Sequence, residues 1–170
     1  MISGIKNWLF DNAIKSHPNY INKKDFVGIN PCKSVLLVSS DINDDTIFAT
    51  ENYKNTLLEK CDFVDTLYYY SHSTETDNGY SIKEINWKNV PINQHIDHVF
   101  SKEYDLLIYL LPTIELHQEY IIQLCHAKLK IGPVTSKKTS LFDLLIENPS
   151  NHIDTLIHNI GKSLKLISSK

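Results

Sequence analysis

The stretch "KSVLLVSSDINDDTIFATENY", Lys33 to Tyr53, decides the fold. Its first part, "SVLLVSS" (34–40), is a continuous apolar run closed by serines, the pattern of a strand covered on both faces. From Asp44 onward Ile47, Phe48, Tyr53, Leu57, Leu58 and Cys61 recur at near-helical spacing, with Asp44 or Asp45 as the expected cap. A buried strand running into a helix opens a β-α-β unit. The junction between the two is where an α/β protein usually holds its ligand. Here that junction has no glycine and three aspartates, Asp41, Asp44 and Asp45.

The same reading extends in both directions. "FVDTLYYYS" (63–71) and "YDLLIYLLP" (104–112) are further buried strands, and "KLKIG" (128–132) and "LFDLLIE" (141–147) are shorter ones. "INQHIDHVFSK" (92–102), "IELHQEYIIQLCHA" (114–127) and "HIDTLIHNIGKSLKLIS" (152–168) carry helical periodicity. Between them, "HSTETDNGY" (72–80) is polar with an Asn-Gly turn signal, and "SIKEINW" reads as a short edge strand or an irregular arm. Strands alternating with helices imply a mostly parallel sheet of about five strands between two helical layers, a three-layer Rossmann-like α/β domain. Upstream, Ile2, Ile5, Trp8, Leu9 and Ile14 mark a short amphipathic helix over 2–16, followed by the connecting segment "HPNYINKKDFVGINP". We therefore expect an N-terminal helical extension over 1–32 and the domain over 33–170. Its core is expected to include Val35, Leu37, Leu67, Leu106, Ile108, Leu124, Leu145 and Leu164.

Composition narrows the function classes. The 170 residues are 42% hydrophobic and 22% charged, values of an ordinary globular chain. A net charge of −3 argues against nucleic acid and against an anionic membrane surface. All 17 basic residues are Lys, so there is no guanidinium fork to grip a phosphate or carboxylate. The cysteines Cys32, Cys61 and Cys125 are odd in number and widely spaced, which fits free thiols in a reducing cytoplasm better than a disulfide framework or a zinc site. The N-terminus does not read as a signal peptide, and no apolar run is long enough for a membrane span.

A ligand site would lie beyond the strand ends, among Ser40, Asp41, His72, Thr113 and Lys137. The glycine-rich phosphate fingerprints are missing, and carboxylates at the helix start repel an anion. The aspartates read as capping and solvated charge in preference to a metal site, and no cofactor or metal is expected. His95 and His98, three apart on a helix, lack a third ligand. His72 lacks an identifiable nucleophile or orienting acid, so no catalytic residue is assigned. His117 and His126 read as surface or boundary residues, and "TSKKTS" (135–140) as a solvated loop. Trp87 is either a core anchor for its arm or an exposed contact, and we read it as the anchor.

Together, "EINWKNVP", "YDLLIYLLP", "HAKLKIG" and "LFDLLIE" resemble a bacterial family of unknown function, short cytoplasmic proteins that pair an N-terminal helical tail with a small Rossmann-like domain. The resemblance rests on Asn86, Trp87 and Pro91, on Tyr104 to Ile108, on Ala127, Lys128 and Gly132, and on Asp143, Leu144 and Ile146. It implies the fold and no activity. "YDLLIYL" with "HAKLKIG" is also similar to part of the N-terminal domain of heptosyltransferase-like glycosyltransferases, without the nucleotide-sugar half. The expected function is a non-catalytic intracellular binding or interaction protein, its macromolecular partner met through the N-terminal helix. The alternative is a small enzyme or degenerate glycosyltransferase-like domain with its site at the strand ends.

Overall fold

The computed structural model describes residues 2–18, 32–41, 43–71, 78–134 and 139–168, with backbone alone for 2–7, 139 and 167–168. Six strands form one sheet: β1 (Ser34–Ser40), β2 (Phe63–Tyr70), β3 (Gly79–Ser81), β4 (Glu103–Tyr109), β5 (His126–Pro133) and β6 (Leu144–Ile146). Their order is β3-β2-β1-β4-β5-β6, and every pairing is parallel. This is a doubly wound, Rossmann-like arrangement with one strand more than expected.

The helices are α1 (Ile2–Ser16), α2 (Asp44–Leu58), α3 (Gln94–Phe100), α4 (Leu116–Leu124) and α5 (Ile153–Ser168). Because side chains alternate along a strand, β1 and β4 feed two separate cores. Val35, Leu37, Leu106 and Ile108 pack with Leu156 and Ile160 of α5 and with Tyr53 and Leu57 of α2. Leu36, Val38, Leu107 and Tyr109 pack with Ile96 and Val99 of α3 and Ile121 and Ile122 of α4. Six of the eight expected core residues are buried, while Leu145 and Leu164 are half-buried at the edges of these cores.

Helix α1 docks against α4. Phe10 and Ile14 are buried beside Tyr120 and Leu124, with Val90 packed on the same cluster. Phe10 is not among the residues by which the sequence marked this amphipathic helix. Trp8, two residues before Phe10 and so on the opposite side of the helix, is 62% exposed. Among the described residues, no helix is long and apolar enough to cross a membrane.

Strand β3 is where expectation and structure part most. Asn78-Gly79 is not a hairpin turn: Gly79 opens β3, which lies parallel to β2 in the register Tyr68↔Gly79. No described glycine has positive φ. Gly79 is needed for close approach, since a Cβ there would overlap the backbone carbonyl of Tyr68. After Ser81, the last residue of β3, "SIKEINW" continues as a 3-10 turn (Ile82–Glu84) and a tight loop, the irregular arm of the two expected forms. Gly79→Ala should push β3 off β2 and cost about 1–3 kcal/mol, the range for overpacking. Urea unfolding measures it, and an unchanged midpoint would show that β3 does not depend on this approach.

Candidate functional site

The switch point of the sheet lies between β1 and β4, where the chain leaves in opposite directions. The end of β1 is built by local hydrogen bonds. Asn43, not an aspartate, caps α2: its Oδ1 accepts from the Thr46 amide at 2.8 Å and the Thr46 hydroxyl at 2.9 Å. Asp44 and Asp45 stand exposed in the first turn, where the helix dipole favours them. Asp41 does different work. Its Oδ1 accepts from the Ser71 amide at 2.9 Å and the Ser71 hydroxyl at 3.2 Å, tying the end of β1 to the end of β2. The expectation that one of the three aspartates caps the helix is thus corrected. An asparagine one residue upstream meets the amide with a neutral oxygen, leaving both carboxylates to water.

The two serines that close β1 face opposite sides. Ser39 bonds Thr50 of α2 at 2.9 Å. Ser40 faces α4, is fully buried, and among the described residues its Oγ has no hydrogen-bond partner. Beside it in register stands Tyr69, and beside Tyr69 stands Tyr80. Their rings are 5.4 Å apart between centroids, and the His117 ring lies 4.5 Å from Tyr69.

His117 is 4% exposed, not a surface residue. Its Nδ1 is 2.8 Å from the Tyr80 hydroxyl and its Nε2 is 2.9 Å from Glu115. With Nε2–H donating to the carboxylate, Nδ1 accepts from the phenol. Burial lowers the His117 pKa against the opposing pull of Glu115, and burial holds the Tyr80 phenol far above its ordinary value. The pair is therefore neutral and fully engaged at pH 7. The signal was present in the sequence: His117 shares its helical face with Tyr120, Ile121 and Leu124. Next to it the Tyr109 hydroxyl lies 2.7 Å from the Thr113 carbonyl and 2.6 Å from Gln118 Oε1, its one proton shared between these two acceptors at the start of α4.

Of the expected site residues, Ser40 and Asp41 end β1, and Thr113 follows β4 with its side chain exposed. His72 and Lys137 lie outside the described residues. His95 and His98 border a small polar cavity of about 150 Å³ at the β2 edge, with Thr66 and Asp65. The Asp65 carboxylate there is already held by Lys102 and Tyr104, each at 2.7 Å. Among the described residues no group of three or more His, Cys, Asp or Glu side chains converges.

A second exposed feature lies on the arm before α3. Asn86 Oδ1 accepts from the amides of Lys88 (2.9 Å) and Val90 (3.1 Å), and the Asn86 amide donates to the Val90 carbonyl at 3.0 Å. Asn89 takes the left-handed conformation that closes the loop, with φ at 61°. A bridge between Ile85 and Pro91 clamps its base. Trp87 sits on this clamped loop and is 66% exposed, with the Lys88 ammonium 5.4 Å from its ring centroid. The reading of Trp87 as a core anchor is corrected: the asparagine network anchors the arm and leaves the indole in water.

A family model described as "Family of unknown function" matches residues 6–167. The chain belongs to this family, DUF6913. No curated protein matches the chain in sequence. Membership in DUF6913 leaves the assignment of function to the geometry.

Two measurements check this geometry. Asn43→Ala should lower stability by about 1 kcal/mol and Asn43→Asp should restore most of it, whereas Asp44→Ala and Asp45→Ala should each change it by less than about 0.5 kcal/mol. For His117 the folded pKa lies below the ordinary value, so between the two the unfolded chain binds more protons. Stability must therefore fall as pH drops below about 6.5. His17 is shifted in the same direction. In urea unfolding from pH 7.5 to 5, His117→Gln should flatten the slope relative to wild type, with His17 common to both. An unaltered slope would place the proton uptake elsewhere.

Proposed function

We propose that the protein is a non-catalytic binding protein of the cytoplasm that engages a macromolecular partner through the arm over Ile82–Ile92 and the adjoining face of α1. The observation that carries this reading is Trp87. Among the residues through which the sequence resembles its family, Asn86 and Pro91 build the arm and Asp143 accepts from the Lys130 amide at 2.7 Å. Trp87 has no such task. Ile82 and Ile92 on the same arm, and Trp8 on α1, are also exposed. The arm and α1 meet through Val90. Exposed tryptophans on a braced loop supply contact area at little conformational cost, the usual character of an interface anchor.

His117 supports the non-catalytic part. A general base needs a nitrogen facing its substrate, and both ring nitrogens are engaged within the protein. The three free thiols fit a reducing compartment.

A second reading rests on Ser40. A buried hydroxyl with no partner among the described residues, at the switch point and beside Tyr69, is placed to meet a polar group of a small ligand. This keeps alive the alternative of a ligand site at the strand ends, with a degenerate glycosyltransferase-like domain as its enzymatic form.

Deleting α1 would remove Phe10 and Ile14 and uncover Tyr120 and Leu124 of α4, so the test uses point variants. A partner isolated from the native host on the wild-type chain should bind Trp87→Ala at least about thirtyfold more weakly by calorimetry, as a hot-spot residue loses. The variant's melting temperature should be close to wild type, since Trp87 packs on little. A partner that binds both chains equally would sink the proposal.

A further inference from the structure

The α2/α5 face of the sheet holds a cavity of about 350 Å³, separate from the strand ends and from the arm. Its floor is Leu106 of β4, and its walls include Tyr53 and Leu57 of α2 and Leu164 of α5. Two further lining side chains, Cys32 and Cys61, come from distant points of the sequence. Cys32 stands where the chain enters β1, and Cys61 where the turn after α2 leads into β2.

The sheet register brings the two together. Strands β1 and β2 are parallel, and their pairing begins at Ser34↔Phe63. Cys32 and Cys61 each lie two residues before that pair, so both arrive from the same end of the sheet. The Phe63 amide donates to the Lys33 carbonyl at 3.1 Å, which holds the two entering chains side by side. Neighbouring strands run about 4.8 Å apart, and a disulfide needs its Cα atoms about 4.4–6.8 Å apart. The side chains also turn the same way. Both pack on the core of Val35, Leu106 and Leu156, and the Cys32 thiol donates a hydrogen bond to Cys61 Sγ.

Burial pushes the Cys32 thiol up to about 12 and raises that of Cys61, so both are neutral S–H groups at pH 7 and react slowly. The hydrogen bond from Cys32 and the Lys60 ammonium pull Cys61 the other way, which makes its sulfur the first to ionise.

We propose that Cys32 and Cys61 are a modification site, a dithiol that a low-molecular-weight disulfide oxidises reversibly to an intrachain disulfide. The Cys61 thiolate attacks one sulfur of the small disulfide and expels its other half as a thiolate. Cys32 Sγ, losing its proton, then attacks Cys61 Sγ and expels the second half. Two S–H bonds are lost and one Sγ–Sγ bond forms; the two electrons and two protons leave with the small thiols. The bond closes a ring around β1 and α2 at the end of the sheet where Asp105 already holds the Lys33 and Ser34 amides. In a reducing compartment such a bond is transient, formed under oxidation and undone afterwards.

The test is exchange of the full, reduced chain with glutathione, followed by acid quench, alkylation and peptide mass mapping without reduction. At equilibrium in oxidised glutathione at pH 8, a Cys32–Cys61 cross-link should form within the monomer, and excess reduced glutathione should undo it. Cys125, buried in the opposite core, should remain a thiol. The cross-linked chain should melt at least about 3 °C above the reduced one, because the ring constrains the unfolded state. Cys32→Ala removes the resolving sulfur, so Cys61 should stop as a glutathione adduct. Should that variant fail to fold, the wild-type cross-link and its melting temperature decide. Absence of the cross-link at equilibrium, pairing with Cys125 instead, an unmodified Cys61 in folded Cys32→Ala, or a cross-linked chain that melts no higher than the reduced one would each overturn the proposal.

Discussion

The buried carboxylate of Asp105 sets the register on which the sheet depends. It lies in β4 and is almost wholly out of water. One oxygen accepts from the Lys33 amide at 2.7 Å, the Ser34 amide at 3.1 Å and the Ser34 hydroxyl at 3.2 Å. The other meets Lys128 at the start of β5 at 2.6 Å. Three central strands are thereby pinned at one end by one side chain. Burial alone would raise its pKa, but the Lys128 ammonium and the two amides outweigh that and hold it below the ordinary carboxylate value. Its contribution is thus present at neutral pH and lost as acid protonates it. A slip of one residue in β1 or β4 would turn each apolar face toward the wrong helical layer and also break this contact. Hydrophobic alternation and the carboxylate therefore select the same register.

The same logic recurs at the sheet's far side. Asp143 accepts from the Lys130 amide and donates its own amide to the Lys130 carbonyl at 2.9 Å, so it guides β6 onto β5. Gly132 in β5 lies under the Phe142 ring, where a Cβ would collide. The Lys130 ammonium turns inward to the carbonyls of Ile122 and Gln123 at the end of α4. The Asp105 carboxylate and the Lys130 ammonium each meet a fixed partner, which is the condition for burying such a charge at all. Residues that look chemically capable in the sequence are here spent on architecture.

The long, uniformly apolar runs were the legible part. "SVLLVSS", "YDLLIYLLP" and the periodic C-terminal helix fix three elements because burial on both faces, or on one helical stripe, leaves no other pattern. Short elements were not legible in the same way. Strand β3 has three residues, too few for period-two alternation to show, and its Asn-Gly sequence imitates a turn. Nor was the choice among Asn43, Asp44 and Asp45 as cap readable, since all three side chains offer an oxygen at nearly the same place. His117 was misread because polarity was weighed above position. A neutral histidine on an apolar helical face is tolerated when partners wait at both nitrogens, and Tyr80 comes from a strand distant in sequence. The strand-end site was legible only in outline: Ser40 lies where the topology predicts, but its neighbours on the sheet come from β2 and β3, whose register the chain does not advertise.

The two cores differ in a way that separates their uses. On the α3/α4 side the space is filled by Tyr69, Tyr80, Tyr109 and His117: Tyr80 and His117 share a hydrogen bond, Tyr69 packs its ring on both, and the Tyr109 hydroxyl is held at the start of α4. Such a network is stiff, because moving one ring unpairs the next. It gives α4 a fixed position, and through Tyr120 and Leu124 it gives α1 and the Trp87 arm a firm base. The α2/α5 side is aliphatic and thiol-lined, with non-directional contacts that can be redistributed without orphaning a polar group. A cavity is tolerable there and would be costly opposite. The Ser40 hydroxyl, without a partner among the described residues, is an exception on the stiff side, and it stands at the switch point, not in the body of that core.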